Sequence, residues 1–104
     1  MIAWVYLVLA GFFEIAFTIA LKLSDDFTKI RWVVVFVISS AVSFYFLSKS
    51  LAKIPIGTAY LIWSGIGGVG TVLVGIMFFN EPTTPLRLFF MALIIIAMIG
   101  LKLY

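Results

Sequence analysis

Apolar residues run along this chain in four long blocks separated by short polar breaks. The blocks extend from about Ile2 to Leu21, Trp32 to Leu47, Gly57 to Phe79 and Leu86 to Leu101. Each crosses, or nearly crosses, a hydrocarbon core of about 30 Å at about 1.5 Å per helical residue. The second block is the shortest. The pattern predicts an all-α membrane protein with four transmembrane helices, about 2–21, 32–47, 57–79 and 86–101, in one domain over residues 1–104.

The breaks between blocks are compatible with tight turns. Lys22 to Arg31 is the longest; Lys49 to Pro55 follows, with Pro55 and Gly57 marking the turn into the third helix. In the last, Asn80 to Pro85, Thr84 can cap the fourth helix with Pro85 at its first position. Connections this short place sequential helices antiparallel.

Composition strengthens the membrane reading. The 104 residues are 65% hydrophobic and only 11% charged, with a mean hydropathy of +1.32. A soluble domain carries about a quarter charged residues, and so short a chain cannot bury such an apolar excess in a core of its own. Lipid is therefore the expected solvent. Cysteine and histidine are both absent, which removes disulfides, thiol catalysis, zinc clusters and imidazole bases together. No nucleophile–base pair or metal cluster is in view, so neither an enzyme nor a metal or cofactor site is expected.

The net charge of +3 does not point to nucleic acid, because the basic residues stand at the ends of apolar blocks, where headgroup anchoring accounts for them. The N-terminus lacks the basic n-region of a signal peptide and carries an acid within its apolar block, so it reads as a retained helix. Lys22, Lys29, Arg31 and Arg87 fall on one side of the membrane, against Lys49, Lys53 and Lys102 on the other. So even a distribution permits insertion in both orientations, and with it an antiparallel dimer.

Candidate chemistry centres on Glu14. It lies roughly 18 Å into the first helix, near the middle of the bilayer. An ionisable group there costs several kcal/mol unless neutralised, paired or hydrated. No Lys or Arg lies inside any block to serve as counter-ion. Protonation and a bound external cation remain as the two ways out, and the two compete for one site. A carboxylate that alternates between them is a proton/cation exchanger; the competing reading is a protonated Glu that only glues helices together in a non-transporting membrane subunit. Around Glu14, the helical neighbours are Ala10, Gly11, Phe17 and Thr18, mostly small or hydroxylated, which leaves room for another helix and a ligand.

The third helix places Tyr60, Ser64, Gly67 and Thr71 on one face, with Trp63 at its border. Aromatic faces attract cations, and their O–H and N–H groups can orient a carboxylate. Gly65-Ile-Gly-Gly-Val-Gly70 lies mid-span with no preceding strand, which excludes a dinucleotide loop. Gly65 and Gly67 instead permit close packing or a kink that would let two half-helices swing. Ser39, Ser40 and Ser43 dot the second helix, whereas the fourth has no polar side chain from Leu88 to Ile99 and suits packing or oligomerisation. Four helices enclose too little space for a gated cavity; two chains would bring two copies of Glu14 to one interface.

Glu14 followed by Ala20-Leu-Lys22, then Phe27-Thr-Lys29, Ser43-Phe44, Ile54-Pro-Ile-Gly-Thr-Ala-Tyr60 and Ile62-Trp-Ser-Gly-Ile-Gly67 form a set that resembles the small multidrug resistance family along the whole chain. The resemblance implies a proton-coupled antiporter of the bacterial inner membrane that exports small organic cations as an antiparallel homodimer. It makes Glu14 the shared proton and substrate site, lined by Ser43, Tyr60 and Trp63. Gly57-Thr-Ala-Tyr60, the glycines ending at Gly75 and Ile99-Gly-Leu-Lys-Leu103 are most similar to the guanidinium-exporting branch. That branch carries a tryptophan where this chain has Phe17, and the quaternary-ammonium branch has a threonine where this chain has Thr18. Phe17 cannot donate a hydrogen bond to the carboxylate, which implies a less constrained Glu14 and a broader range of cations with apolar substituents. In the dimer motif of the fourth helix, from Ala92 to Gly100, Ala97 replaces a glycine.

Overall fold

The computed structural model describes residues 2–104; Met1, where the predicted domain begins, lies outside the described residues. Four helices follow one another: α1 (Ile2–Leu23), α2 (Ile30–Ser50), α3 (Ile56–Phe78) and α4 (Pro85–Leu103). All four are long and apolar enough to cross a membrane. With this order and composition the chain is a multi-pass membrane protein.

The helix ends show which local signals matter. The expected span of α2, Trp32 to Leu47, is extended at both ends, to 21 residues or about 31 Å. Polarity had marked the expected boundary, but Ser48, Lys49 and Ser50 contain nothing that breaks a helix. Ser50 turns its buried hydroxyl back onto the Leu47 carbonyl at 2.7 Å. Pro55, as N-cap of α3, imposes the actual break. At α4, the Thr84 hydroxyl accepts from the Arg87 N–H at 3.3 Å, with Pro85 at the first helical position, as the cap pattern predicts.

The α1–α2 connection turns left-handed. Asp25, Asp26 and Phe27 take φ of 50°, 60° and 64°, folding the chain so that Thr28 and Lys29 N–H both donate to the Ser24 carbonyl. The core lies mainly between α1 and α3, where Ala3, Leu7 and Ala10 meet Ala59, Ile62 and Trp63. Helix α1 packs against both α2 and α3, and α4 packs on α3 alone. No residue of α4 is buried. The result is a slab of 41 × 35 × 17 Å, with its helices side by side in the order α2, α1, α3, α4.

Helix α3 runs unbroken through its glycines. None of the chain's described glycines has a positive φ, so their role here is space rather than unusual backbone. A Cβ at Gly65 would press on Met98 of α4, one at Gly11 of α1 on Ile66 of α3, and one at Gly67 would overlap Glu14. In this conformation the glycine run lets α1 and α4 approach α3; it does not divide the helix.

Candidate functional site

Glu14 sits at the α1–α3 contact, half-buried, its carboxylate resting on the backbone at Gly67. Its Oε2 is buried and has no hydrogen-bond partner, alone in this among the buried side-chain oxygens and nitrogens of the described residues. No basic group of the described residues pairs with it. The ion pair found among the described residues joins Arg87 to Glu81 at 3.8 Å, out in the third loop. An acceptor left unsatisfied in a dry setting carries a desolvation penalty. A proton or a cation at Oε2 relieves that penalty.

Beside the carboxylate runs a buried hydrogen-bond relay across three helices. The Trp63 indole of α3 donates to the Ser43 hydroxyl of α2 at 3.0 Å. Ser43 in turn donates to the Ala10 carbonyl of α1 at 2.7 Å. Ala10 is one turn before Glu14, so the relay fixes the backbone that carries the carboxylate. In this structure Ser43 and Trp63 bond to each other and to backbone, and neither bonds to Glu14.

The other expected residues divide into three groups. Phe17 turns toward α2, with its ring 5.9 Å from Phe36 and 6.0 Å from Phe44. Phe44 leads on to Trp63 at 5.8 Å, and Trp63 to Tyr60 at 5.9 Å. These five rings make one continuous aromatic wall, whose outer members Phe44 and Tyr60 are 52% and 58% exposed. Tyr60 therefore joins the site through Trp63, not through Glu14. Thr18 lies in a cleft between α1 and α3, with Lys22, Thr71, Gly75, Phe79 and Glu81. Ser64 and Gly65 face α4 instead, in a small cavity with Gly68, Val69, Met91 and Ile94. The stripe of Tyr60, Ser64, Gly67 and Thr71 thus meets different neighbours, because α1 and α4 both pack on α3 and different positions of the stripe border each of them.

Sequence reasoning did not find the observed roles of four residues. The Ala10 carbonyl could not be read from side-chain chemistry. Phe36 and Phe44 supply two of the five rings of the wall, signalled only by their spacing of eight on one helix. Gly67 as a carboxylate seat required knowing which face of α3 meets α1. No group of three or more metal-ligating side chains occurs among the described residues.

A family model described as Small Multidrug Resistance protein matches residues 2–94. The chain belongs to the small multidrug resistance family. Among its relatives in that family is a protein of Bacillus licheniformis named "Probable guanidinium efflux system subunit GdnD", 41% identical over 100 residues and covering 96% of each chain. The "Guanidinium exporter" of Escherichia coli strain K12 is 39% identical over 101 residues, covering 97% of this chain and 96% of its own. That of Citrobacter freundii is 38% identical over the same length. Within the family, similarity therefore runs to transporters named for guanidinium, over essentially their full length.

Proposed function

We propose that this protein exports guanidinium or substituted guanidinium ions across the bacterial inner membrane in exchange for protons, with Glu14 as the shared site. The observation that carries the proposal is the buried Glu14 Oε2 without a partner, at bilayer depth, in a chain with no internal counter-ion. A planar guanidinium offers donors in a fork that matches a carboxylate. A proton on the same oxygen removes the charge that binds it. One carboxylate holding either proton or cation, never both, is what stoichiometric exchange requires.

The slab is too thin to enclose that site. At 17 Å across its short dimension, one protomer leaves the aromatic wall open on one face. A second copy laid against that face in the opposite orientation encloses both Glu14 residues between the two walls. The even distribution of basic residues permits that arrangement, and the largely exposed apolar α4 gives such a dimer a surface to pack.

Proteoliposomes test the exchange. A guanidinium gradient should drive protons the other way through the parent protein, and Glu14→Gln should abolish both fluxes. Undiminished exchange by that variant would remove the site from the mechanism.

A second substrate class has its own observation. Phe17 presents a ring to Phe36 and Phe44 and no hydrogen-bond donor to Glu14. A larger, apolar quaternary ammonium ion could therefore rest on the wall by cation–π attraction without losing a fixed partner. Tetrapropylammonium should compete with guanidinium in the parent, and Phe17→Trp should weaken that competition several-fold. Equal competition in both proteins would sink the role given to Phe17.

A further inference from the structure

Two carboxylates, not one, rest on glycines of α3. Glu14 lies over Gly67 and Glu81 over Gly75, and a Cβ at either glycine would overlap the carboxylate. The second seat is built by the chain end of α3. Asn80 takes a left-handed φ of 56°, which returns the Glu81 N–H to the Gly75 carbonyl at 3.2 Å. Glu81 Oε1 then faces Arg87 at 3.8 Å, while Oε2 is the atom held against Gly75.

Between the two seats the facing helices carry hydroxyls. Thr18 follows Glu14 by one turn on α1, and Thr71 follows Gly67 by one turn on α3. Both line a cleft of about 310 Å³ that also reaches Lys22, Gly75, Phe79 and Glu81. The cleft opens on the side of the first and third loops and ends one turn short of Glu14.

We propose that this row, Glu81, the Thr71 and Thr18 hydroxyls, then Glu14, is a proton route separate from the path of the organic cation. The proposal rests on the reading of Glu14 as the exchange site. The two glycine seats are eight residues apart, about 12 Å along the helix, too far for direct transfer. About four hydrogen-bonded links of roughly 2.8 Å span that distance. A cleft of this size accommodates about ten waters at roughly 30 Å³ each. A proton on Glu81 Oε2 passes to a cleft water, which hands a proton onward past the threonine hydroxyls to Glu14 Oε2. Glu81 is left a carboxylate and Glu14 a neutral acid.

Charge decides against the organic cation in this cleft. Lys22 from α1 and Arg87 from α4 stand at its mouth against one carboxylate, Glu81. The aromatic face there is already taken, since the Lys22 ammonium lies 4.9 Å from the Phe79 ring centroid. The wall of Phe36, Phe17, Phe44, Trp63 and Tyr60 lies toward α2, away from that pair of cations. The cation reaches Glu14 from the wall and the proton from the cleft. In an antiparallel pair, the two copies of the cleft open on opposite sides of the membrane.

Two fluxes in the same proteoliposomes separate the routes. Guanidinium/guanidinium exchange needs no proton, whereas proton-driven guanidinium transport does. Glu81→Gln and Thr71→Val should each slow proton-driven transport about tenfold and leave guanidinium/guanidinium exchange within twofold. Thr71→Ser, which keeps the hydroxyl, should restore the proton-driven rate. Equal slowing of both fluxes, no slowing of either, or failure of serine to restore the rate overturns the proposal. Loss of proton-driven transport in the parent protein itself would instead overturn the exchange reading of Glu14.

Discussion

Glu14 and Gly67 work as a pair: the carboxylate lies where a side chain would otherwise stand. Gly67→Ala should therefore displace the carboxylate although alanine favours the helix by about 1 kcal/mol. We expect guanidinium affinity to fall at least tenfold, about 1.4 kcal/mol, with helix content unchanged. Calorimetric titration in micelles and circular dichroism measure the two; unaltered affinity would show that the seat is dispensable. The relay beside it behaves as a unit. Ser43→Ala leaves the Trp63 indole N–H unpaired in a buried position, at a cost of about 1–3 kcal/mol. Trp63→Phe removes that donor, so the double variant should be destabilised by clearly less than the sum of the two single changes. Strict additivity in detergent unfolding would mean that the bond does not couple the helices.

Element boundaries respond to backbone chemistry more than to polarity. Phe27 holds φ at 64°, a conformation that costs an ordinary L-residue about 1–2 kcal/mol, and offsets it by an edge-to-face contact with Phe36 at 5.9 Å. Truncation should produce an inverted order. Phe27→Ala loses the ring and keeps the strained backbone, while Phe27→Gly loses the ring and relieves it. The glycine variant should be the more stable by about 1 kcal/mol, read from thermal unfolding midpoints in one detergent. The opposite order would show that this turn relaxes freely. Polar residues at the end of α2 illustrate the same point, since Ser48 to Ser50 stay helical at the membrane edge until Pro55 intervenes.

At the scale of the molecule, the proposed antiparallel pair makes an orientation prediction. The chain has no cysteine, so single probes can be placed without background. Ala52 and Thr83 are exposed and lie in successive loops on opposite sides of the membrane. Ala52→Cys and Thr83→Cys should each be about half labelled by an impermeant maleimide added to intact cells. Complete labelling of one and none of the other would fix a single orientation and exclude the antiparallel homodimer. The exposed α4 belongs to the same picture: an apolar helix with no fully buried residue, packed on α3 alone, has lipid or another copy along the rest of its surface.

The four spans, their order, the cap of α4 and the unusual position of Glu14 were legible in the sequence alone. Each depends on local composition or on the depth of one residue along one helix. The same was true of the family motifs, because they are runs of neighbouring residues. Which faces meet depended on the packing of whole helices. Only the tertiary structure put Gly67 under Glu14, turned the Trp63 indole to Ser43 instead of to the carboxylate, and sent Ser64 toward α4. It also brought Glu81, a loop residue with no evident role in the sequence, onto Gly75 at the mouth of a cleft leading toward Glu14. Periodicity groups residues on a face, but the facing helix, its tilt and its small residues decide what that face touches.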